Sequence, residues 1–263
     1  MWRDWLRAYA DAWENADPGV VELFTEDATY LSQPFREPHT GRDGIRAYWA
    51  GATATQRDTE VLIGDPLVAG DHVVAEWWTT MVEDDGPVTL PGVLLLDFDG
   101  DECRALREYW AYEPGRHEPF PEWGRFEGDQ PAADHAAAWA DAYERAWRAG
   151  DADAAAALYA EDVSFRSHAF REPVRGRAAV RDYTARAFAA EEDRVARLGR
   201  PLAAGAGAAV EYWTTYVEEG AAQTLAGCVL MSFDANGAVT TSRDYWHVAD
   251  ERRDPPAGWG RFG

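Results

Sequence analysis

Apolar and polar positions along the first half of the chain change period three times, and each change marks a new kind of element. Trp5, Tyr9 and Trp13 recur at four-residue spacing and place one aromatic stripe on a helix. Asp17-Pro18 then supplies an N-cap and a first-turn proline for a short second helix ending near Phe24. Residues 27 to 35 read as a strand and 41 to about 57 as a longer helix. Three or four strands follow, near 61 to 69, 73 to 83, 88 to 98 and 103 to 112. The acidic turns Asp84-Asp85-Gly86 and Asp99-Gly100-Asp101 join strands close in sequence, as hairpins require. Helices first and consecutive antiparallel strands after predict an α+β unit with helices on one face of a curved sheet.

The second half of the chain repeats the first. Residues 5 to 126 return as 139 to 262 at a spacing of 134 to 136, so Trp5, Tyr9 and Trp13 recur as Trp139, Tyr143 and Trp147. Phe35-Arg36-Glu37-Pro38 recurs as Phe170-Arg171-Glu172-Pro173, and Glu76-Trp77-Trp78-Thr79-Thr80 as Glu211-Tyr212-Trp213-Thr214-Thr215. The copies close alike, on Trp123-Gly124-Arg125-Phe126 and Trp259-Gly260-Arg261-Phe262. A unit of about 130 residues can bury its own core, so this is a duplicated domain and not a solenoid. The stretch Gly128-Asp129-Gln130-Pro131 reads as the linker, giving domains 1–128 and 129–263.

With 46% hydrophobic and 13% aromatic residues the chain can fill two cores. Forty-seven acidic against 25 basic residues give a formal charge of -22, which repels phosphate backbones and anionic lipid heads. Nucleic acid and membrane are therefore not expected partners. Cys103 and Cys228 occupy non-equivalent positions, so no disulfide framework is indicated and a cytoplasmic, reducing compartment is expected. No apolar run approaches the ~20 residues of a membrane span. The six histidines include no pair at a recognisable metal spacing, and no glycine-rich phosphate loop appears. Neither a metal nor a cofactor is expected.

The element order, together with Glu26-Asp27-Ala28-Thr29-Tyr30, Pro34-Phe35-Arg36-Glu37-Pro38, Gly41-Arg42-Asp43-Gly44-Ile45 and Arg107-Glu108-Tyr109-Trp110, resembles the SnoaL-like branch of the nuclear transport factor 2-like superfamily. The resemblance covers nearly the whole of each repeat. It implies two tandem cone-shaped α+β barrels, each a curved antiparallel sheet with helices on its concave face and a pocket inside. That fold hosts ketosteroid isomerases, polyketide cyclases, limonene-type epoxide hydrolases, dehydratases and plain binding domains, and by itself chooses none of them. Relative to the epoxide hydrolases, Tyr30 and Ser32 take the first-strand positions, with Phe165 and Ser167 in the second copy. Glu108 and Asp244 look like the last-strand base, and Trp110 and Trp246 like the pocket aromatic of ketosteroid isomerases. On the middle strand the match fails, because Glu76 and Trp78, and Glu211 and Trp213, stand where that family has its Arg and Asp. The epoxide-opening relay is broken in both copies.

Alternation puts Glu76, Trp78 and Thr80 on one strand face and Glu108 and Trp110 on one face of a later strand, with Glu211, Trp213, Thr215, Asp244 and Trp246 in the second copy. If both faces point inward, each cone holds two carboxyls walled by tryptophan. Burial and like charge then keep a proton on one, here Glu76, and leave the other, Glu108, as a base, with Tyr30 as hydroxyl donor. Such a site suits a cofactor-independent cyclase, isomerase or dehydratase acting on a hydrophobic, oxygen-bearing small molecule. The alternative is a binding module whose carboxyls are tied to Arg36, Arg42 or Arg46 as structural ion pairs. The copies differ at Tyr30/Phe165, Gln33/His168, Val88/Gln223 and Ala111/His247, so the two pockets are not chemically equal. Tyr30 favours the first as the working site, and His247 near Asp244 favours the second. Trp77, Thr79 and Met81, with Tyr212, Thr214 and Tyr216, would then lie outside as an apolar face. Pairing of repeat with repeat through that face predicts an intramolecular pseudo-dimer, monomeric in solution.

Overall fold

The computed structural model describes residues 1–128 and 131–261, so Asp129 and Gln130 of the expected linker, and Phe262, lie outside the described residues. The chain divides into two units, Met1–Arg125 and Phe126–Gly263. The division falls a few residues before the expected boundary.

In unit 1, α1 (Trp2–Glu14) is followed by a 3₁₀ turn (Pro18–Leu23), in which Asp17 Oδ1 accepts the Gly19 N–H at 2.8 Å. Then come β1 (Phe24–Leu31), β2 (His39–Thr40), α2 (Gly41–Thr53), β3 (Arg57–Ile63), β4 (Leu67–Ala69), β5 (His72–Glu83), β6 (Gly86–Asp99), β7 (Glu102–Trp110) and β8 (Glu113–Pro114). The sheet runs β2-β1-β7-β6-β5-β3. Arg42, just inside α2, donates from Nε to the Phe24 carbonyl at 2.7 Å and pairs with Glu22, Glu26 and Glu102. The Gly41-Arg42 repeat motif thus ties the start of α2 to the start of β1.

Unit 2 repeats the order: α3 (Ala133–Ala149), α4 (Ala152–Ala156), β9 (Tyr159–Arg166), β10 (Val174–Arg175), α5 (Arg177–Ala190), β11 (Glu192–Leu198), β12 (Leu202–Ala204), β13 (Gly207–Glu218), β14 (Ala221–Phe233) and β15 (Val239–Ala249). Its sheet runs β10-β9-β15-β14-β13-β11. Arg177 makes the same tie, from Nε to the Tyr159 carbonyl.

Two sequence expectations are corrected. The sheets are mixed, because β1 runs parallel to β7, and β9 to β15, where a fully antiparallel sheet was expected. The first strand of each unit pairs with its last long strand, β7 or β15, too distant in sequence for hairpin reasoning to reach. The middle strand is also turned over. Ala75 and Trp77 lie in the core cluster with Trp5, Tyr9, Ile45 and Trp49 of the helices, and Tyr212 lies in that of unit 2. Trp77, Thr79 and Met81, and Tyr212, Thr214 and Tyr216, therefore face the helices of their own unit and do not form the outward apolar face expected for repeat pairing. Gly92 opposite Trp77 makes room for this, since a Cβ there would stand 2.6 Å from the Trp77 ring.

Candidate functional site

With β5 and β13 turned over, Glu76, Trp78 and Thr80 lie on the outer face with their counterparts Glu211, Trp213 and Thr215, and cannot share a pocket with Glu108 or Asp244. Glu76 is buried and its Oε2 accepts the Gly124 N–H at 3.0 Å, while the Asp65 N–H donates to the Gly124 carbonyl at 2.7 Å. Gly64 and Gly124 approach so closely that a Cβ on Gly64 would sit 2.5 Å from the Gly124 Cα. Trp78 Nε1 donates to the His117 carbonyl at 2.9 Å, and the Trp78 ring packs edge-on against Phe120 and Trp123. Unit 2 reproduces the arrangement: Gly260 N–H to Glu211 Oε2 at 3.2 Å, and Trp213 Nε1 to the Arg253 carbonyl at 2.8 Å. These residues hold Trp123-Gly124 and Trp259-Gly260 against the sheet of their own unit, on the face away from Glu108 and Asp244.

The last-strand carboxyls do point inward. In unit 1, Glu108 is buried, and its Oε1 accepts from Tyr30 Oη at 2.5 Å and from Tyr9 Oη at 3.2 Å, the two hydroxyls being 2.7 Å apart. Burial pushes the Glu108 carboxyl up to about 7, against the downward pull of Tyr30 and Tyr9. None of the three suspected arginines pairs with it: Arg36 bonds Gln33, Arg42 its three glutamates, and Arg46 Asp43. Aromatic rings pack beside this triad. Trp13 packs against Trp49 with ring centroids 6.3 Å apart and against Trp77 at 5.0 Å, while Tyr9 meets Trp49 at 5.4 Å. Trp110 joins the same core and donates from Nε1 to the Ser32 carbonyl at 2.8 Å. Ser32 itself is buried.

In unit 2 the same positions enclose a cavity of about 190 Å³. Trp49 is replaced by Thr184, Thr53 by Phe188 and Trp77 by Tyr212, and all three line this space. Asp244, at the Glu108 position, also lines it, with Ser167 and Trp246. Trp246 Nε1 donates to the Ser167 carbonyl at 2.7 Å, which matches the Trp110 and Ser32 pair.

Asp244 has lost both hydroxyl donors. Phe165 replaces Tyr30, and Tyr143 bonds Tyr159, the residue that replaces Phe24. Asp244 Oδ1 is sealed from solvent with no hydrogen-bond partner among the described residues. Burial alone pushes this carboxyl up to about 7. Tyr143, Tyr159 and Tyr212 are raised further above their ordinary range, chiefly by burial and then by neighbouring charge, so their hydroxyls keep their protons.

A second carboxyl at the cavity, Glu191, was not anticipated. Its Oε2 accepts from Trp147 Nε1 at 2.8 Å and lies 3.5 Å from Arg194 Nε, and burial raises its pKa. The signal was available, because Gln56 takes the same bond from Trp13 at 2.9 Å in unit 1. His247, by contrast, shares a strand face with Arg243 and Tyr245 and is turned away from Asp244. Among the described residues no three His, Cys, Asp or Glu side chains gather as ion ligands would, and no helix is long and apolar enough to cross a membrane.

The SnoaL-like domain matches this chain twice, over residues 6–106 and 139–241. The chain belongs to the SnoaL-like family. No curated protein matches it. Among solved structures, a hypothetical protein with a ketosteroid isomerase-like fold from Catenulispora acidiphila DSM 44928, crystallised with trimethylamine, is 29% identical; the match covers 40% of this chain and 83% of that one, with a TM-score of 0.38. The epoxide hydrolase/cyclase-like enzyme SalBIII, with a role in pyran ring formation in the polyether salinomycin, is 18% identical over 41% of this chain and 89% of its own, TM-score 0.38. A putative SnoaL-like polyketide cyclase from Jannaschia sp. CCS1 is 18% identical over 41% and 83%, TM-score 0.38. Each SnoaL-like match falls within one unit, so both copies are family members that have diverged inside.

Proposed function

We propose that unit 2 is the working site of a cofactor-independent acid-base enzyme, a cyclase, isomerase or dehydratase, acting on a hydrophobic oxygen-bearing small molecule. The observation that carries this reading is Asp244, whose carboxyl burial raises to about 7 and which lines an aromatic cavity. A group that titrates near the working pH is present as a base and yet holds a proton well enough to return it. Asp244 takes a proton from the carbon beside a carbonyl. The electron pair of that C–H bond moves into the carbonyl and leaves charge on its oxygen, which the hydroxyls of Ser167 and Tyr183 on the same wall receive. Return of the proton at another carbon gives isomerisation; attack of the enolate on a second carbonyl gives ring closure.

Glu108 and Tyr30 carry the same chemistry in principle, but Glu108 Oε1 is already held by the Tyr30 and Tyr9 hydroxyls, so unit 1 serves as scaffold. The test needs no knowledge of the natural substrate. The full chain is incubated with small cyclic ketones in D₂O and exchange at the carbon beside the carbonyl is followed by proton NMR. Exchange accelerated by the chain and lowered about 10²-fold or more by Asp244→Asn supports the reading, in the range general-base catalysis supplies. Exchange unaffected by Asp244→Asn contradicts it, and ligand binding without exchange leaves a binding module.

A further inference from the structure

More than half of the residues lining the unit 2 cavity are aromatic, two are acidic and none is basic. Compared with unit 1, two replacements act in one direction. Phe165 and Tyr159 take the hydroxyl donors away from the last-strand carboxyl. An isolated carboxylate without a donor is costly to bury, so whatever enters gains most if it brings positive charge. Aromatic walls favour the same guest, because ring faces attract ammonium groups and their polarised methyl or methylene groups. The formal charge of -22 further concentrates cations around the chain.

We infer that the unit 2 cavity receives a small oxygen-bearing organic cation, its ammonium group against Asp244 and its carbon atoms on the aromatic walls. The space sets the size. A cavity of about 150 Å³ accepts one benzene, so about 190 Å³ encloses a body of one ring or a short branched chain. Larger molecules would have to extend through the mouth. The inference rests on reading this cavity as a ligand site, and it does not require turnover.

Choline and 3,3-dimethylbutan-1-ol have the same shape and differ in carrying nitrogen with its charge or a neutral carbon. Titration calorimetry of the full chain with each at pH 8 separates charge from hydrophobic fit. The expected result is choline at least about tenfold tighter than the alcohol, a difference of ~1.4 kcal/mol. Asp244→Asn should weaken choline about tenfold and change the alcohol by less than about threefold. Equal or tighter binding of the alcohol, no binding of either up to about 50 mM, or choline affinity unchanged in Asp244→Asn overturns the inference. The comparison of the two probes on the unaltered chain stands even if the variant folds poorly. Ketone exchange keeps the two readings apart: exchange lost in Asp244→Asn with equal probe binding removes the cation alone, and choline selectivity without exchange removes turnover alone.

Discussion

In unit 1 the β7 carboxyl of Glu108 ends on two tyrosine hydroxyls, and in unit 2 the β15 carboxyl of Asp244 lines a cavity. The backbone around them is the same strand order with the same tail anchor, so the difference lies in a handful of side chains. Tyr30/Phe165 and Phe24/Tyr159 rearrange the donors; Trp49/Thr184 and Trp77/Tyr212 rearrange the volume. Duplication allows this division. One copy keeps the hydrogen bonds that satisfy its buried acid, and the other gives them up for a destabilised acid beside a cavity, the usual cost of a functional site.

The comparison breaks most sharply if the volume-setting pair is exchanged. Trp49→Thr should empty part of the unit 1 core and destabilise that unit by about 3–5 kcal/mol in urea melts, the range for deleting a buried indole. Its reciprocal, Thr184→Trp, should fill the unit 2 cavity and abolish probe binding. If Thr184→Trp leaves binding intact, the cavity is not where ligands enter.

Next in size is the effect of pH. Asp244 is raised in the folded chain to about 7, so between about pH 4 and 7 the folded chain holds a proton that the unfolded chain has released. Its contribution to stability is fully present below about pH 4 and is lost as pH rises through about 7. Asp244→Asn should therefore be more stable than the parent at pH 8, by on the order of 3 kcal/mol, and no more stable near pH 3.5. Glu108→Gln should gain less at pH 8, because Tyr30 and Tyr9 already offset part of the burial. Equal gains for the two would mean that the copies do not differ as described.

The smallest effect sharpens what the copies share. Glu76→Ala and Glu211→Ala each strip a buried tail N–H of its acceptor and should cost about 1–3 kcal/mol apiece without changing ketone exchange. Loss of exchange in Glu211→Ala at unchanged stability would restore that residue to the site.

The fold was legible because the repeat, the aromatic helix stripes and the acidic hairpin turns all agree. The faces of β5 were not. From Val73 to Met81 every residue is buried, so the strand offers no alternation of apolar and polar positions from which to set its phase. Glu76 then drew the assignment inward simply because it is acidic. Glu108, whose strand has less continuous burial, was placed correctly on the inner face with Trp110. The openness of unit 2 was partly readable. Aligning the copies exposed Tyr30/Phe165, but Trp49/Thr184, Trp77/Tyr212 and Gln56/Glu191 gain meaning only once those positions are known to face one space. The pairing of β1 with β7 had no local signal, since its partners are about 76 residues apart.

The most direct test of the difference between the copies is a crystal of the full chain under xenon pressure, because xenon enters apolar cavities without needing a particular ligand. The account predicts a xenon peak among Thr184, Tyr212 and Trp246 of unit 2, and none among Trp13, Trp49 and Trp77 of unit 1. Xenon at both positions, or in unit 1 alone, would contradict it.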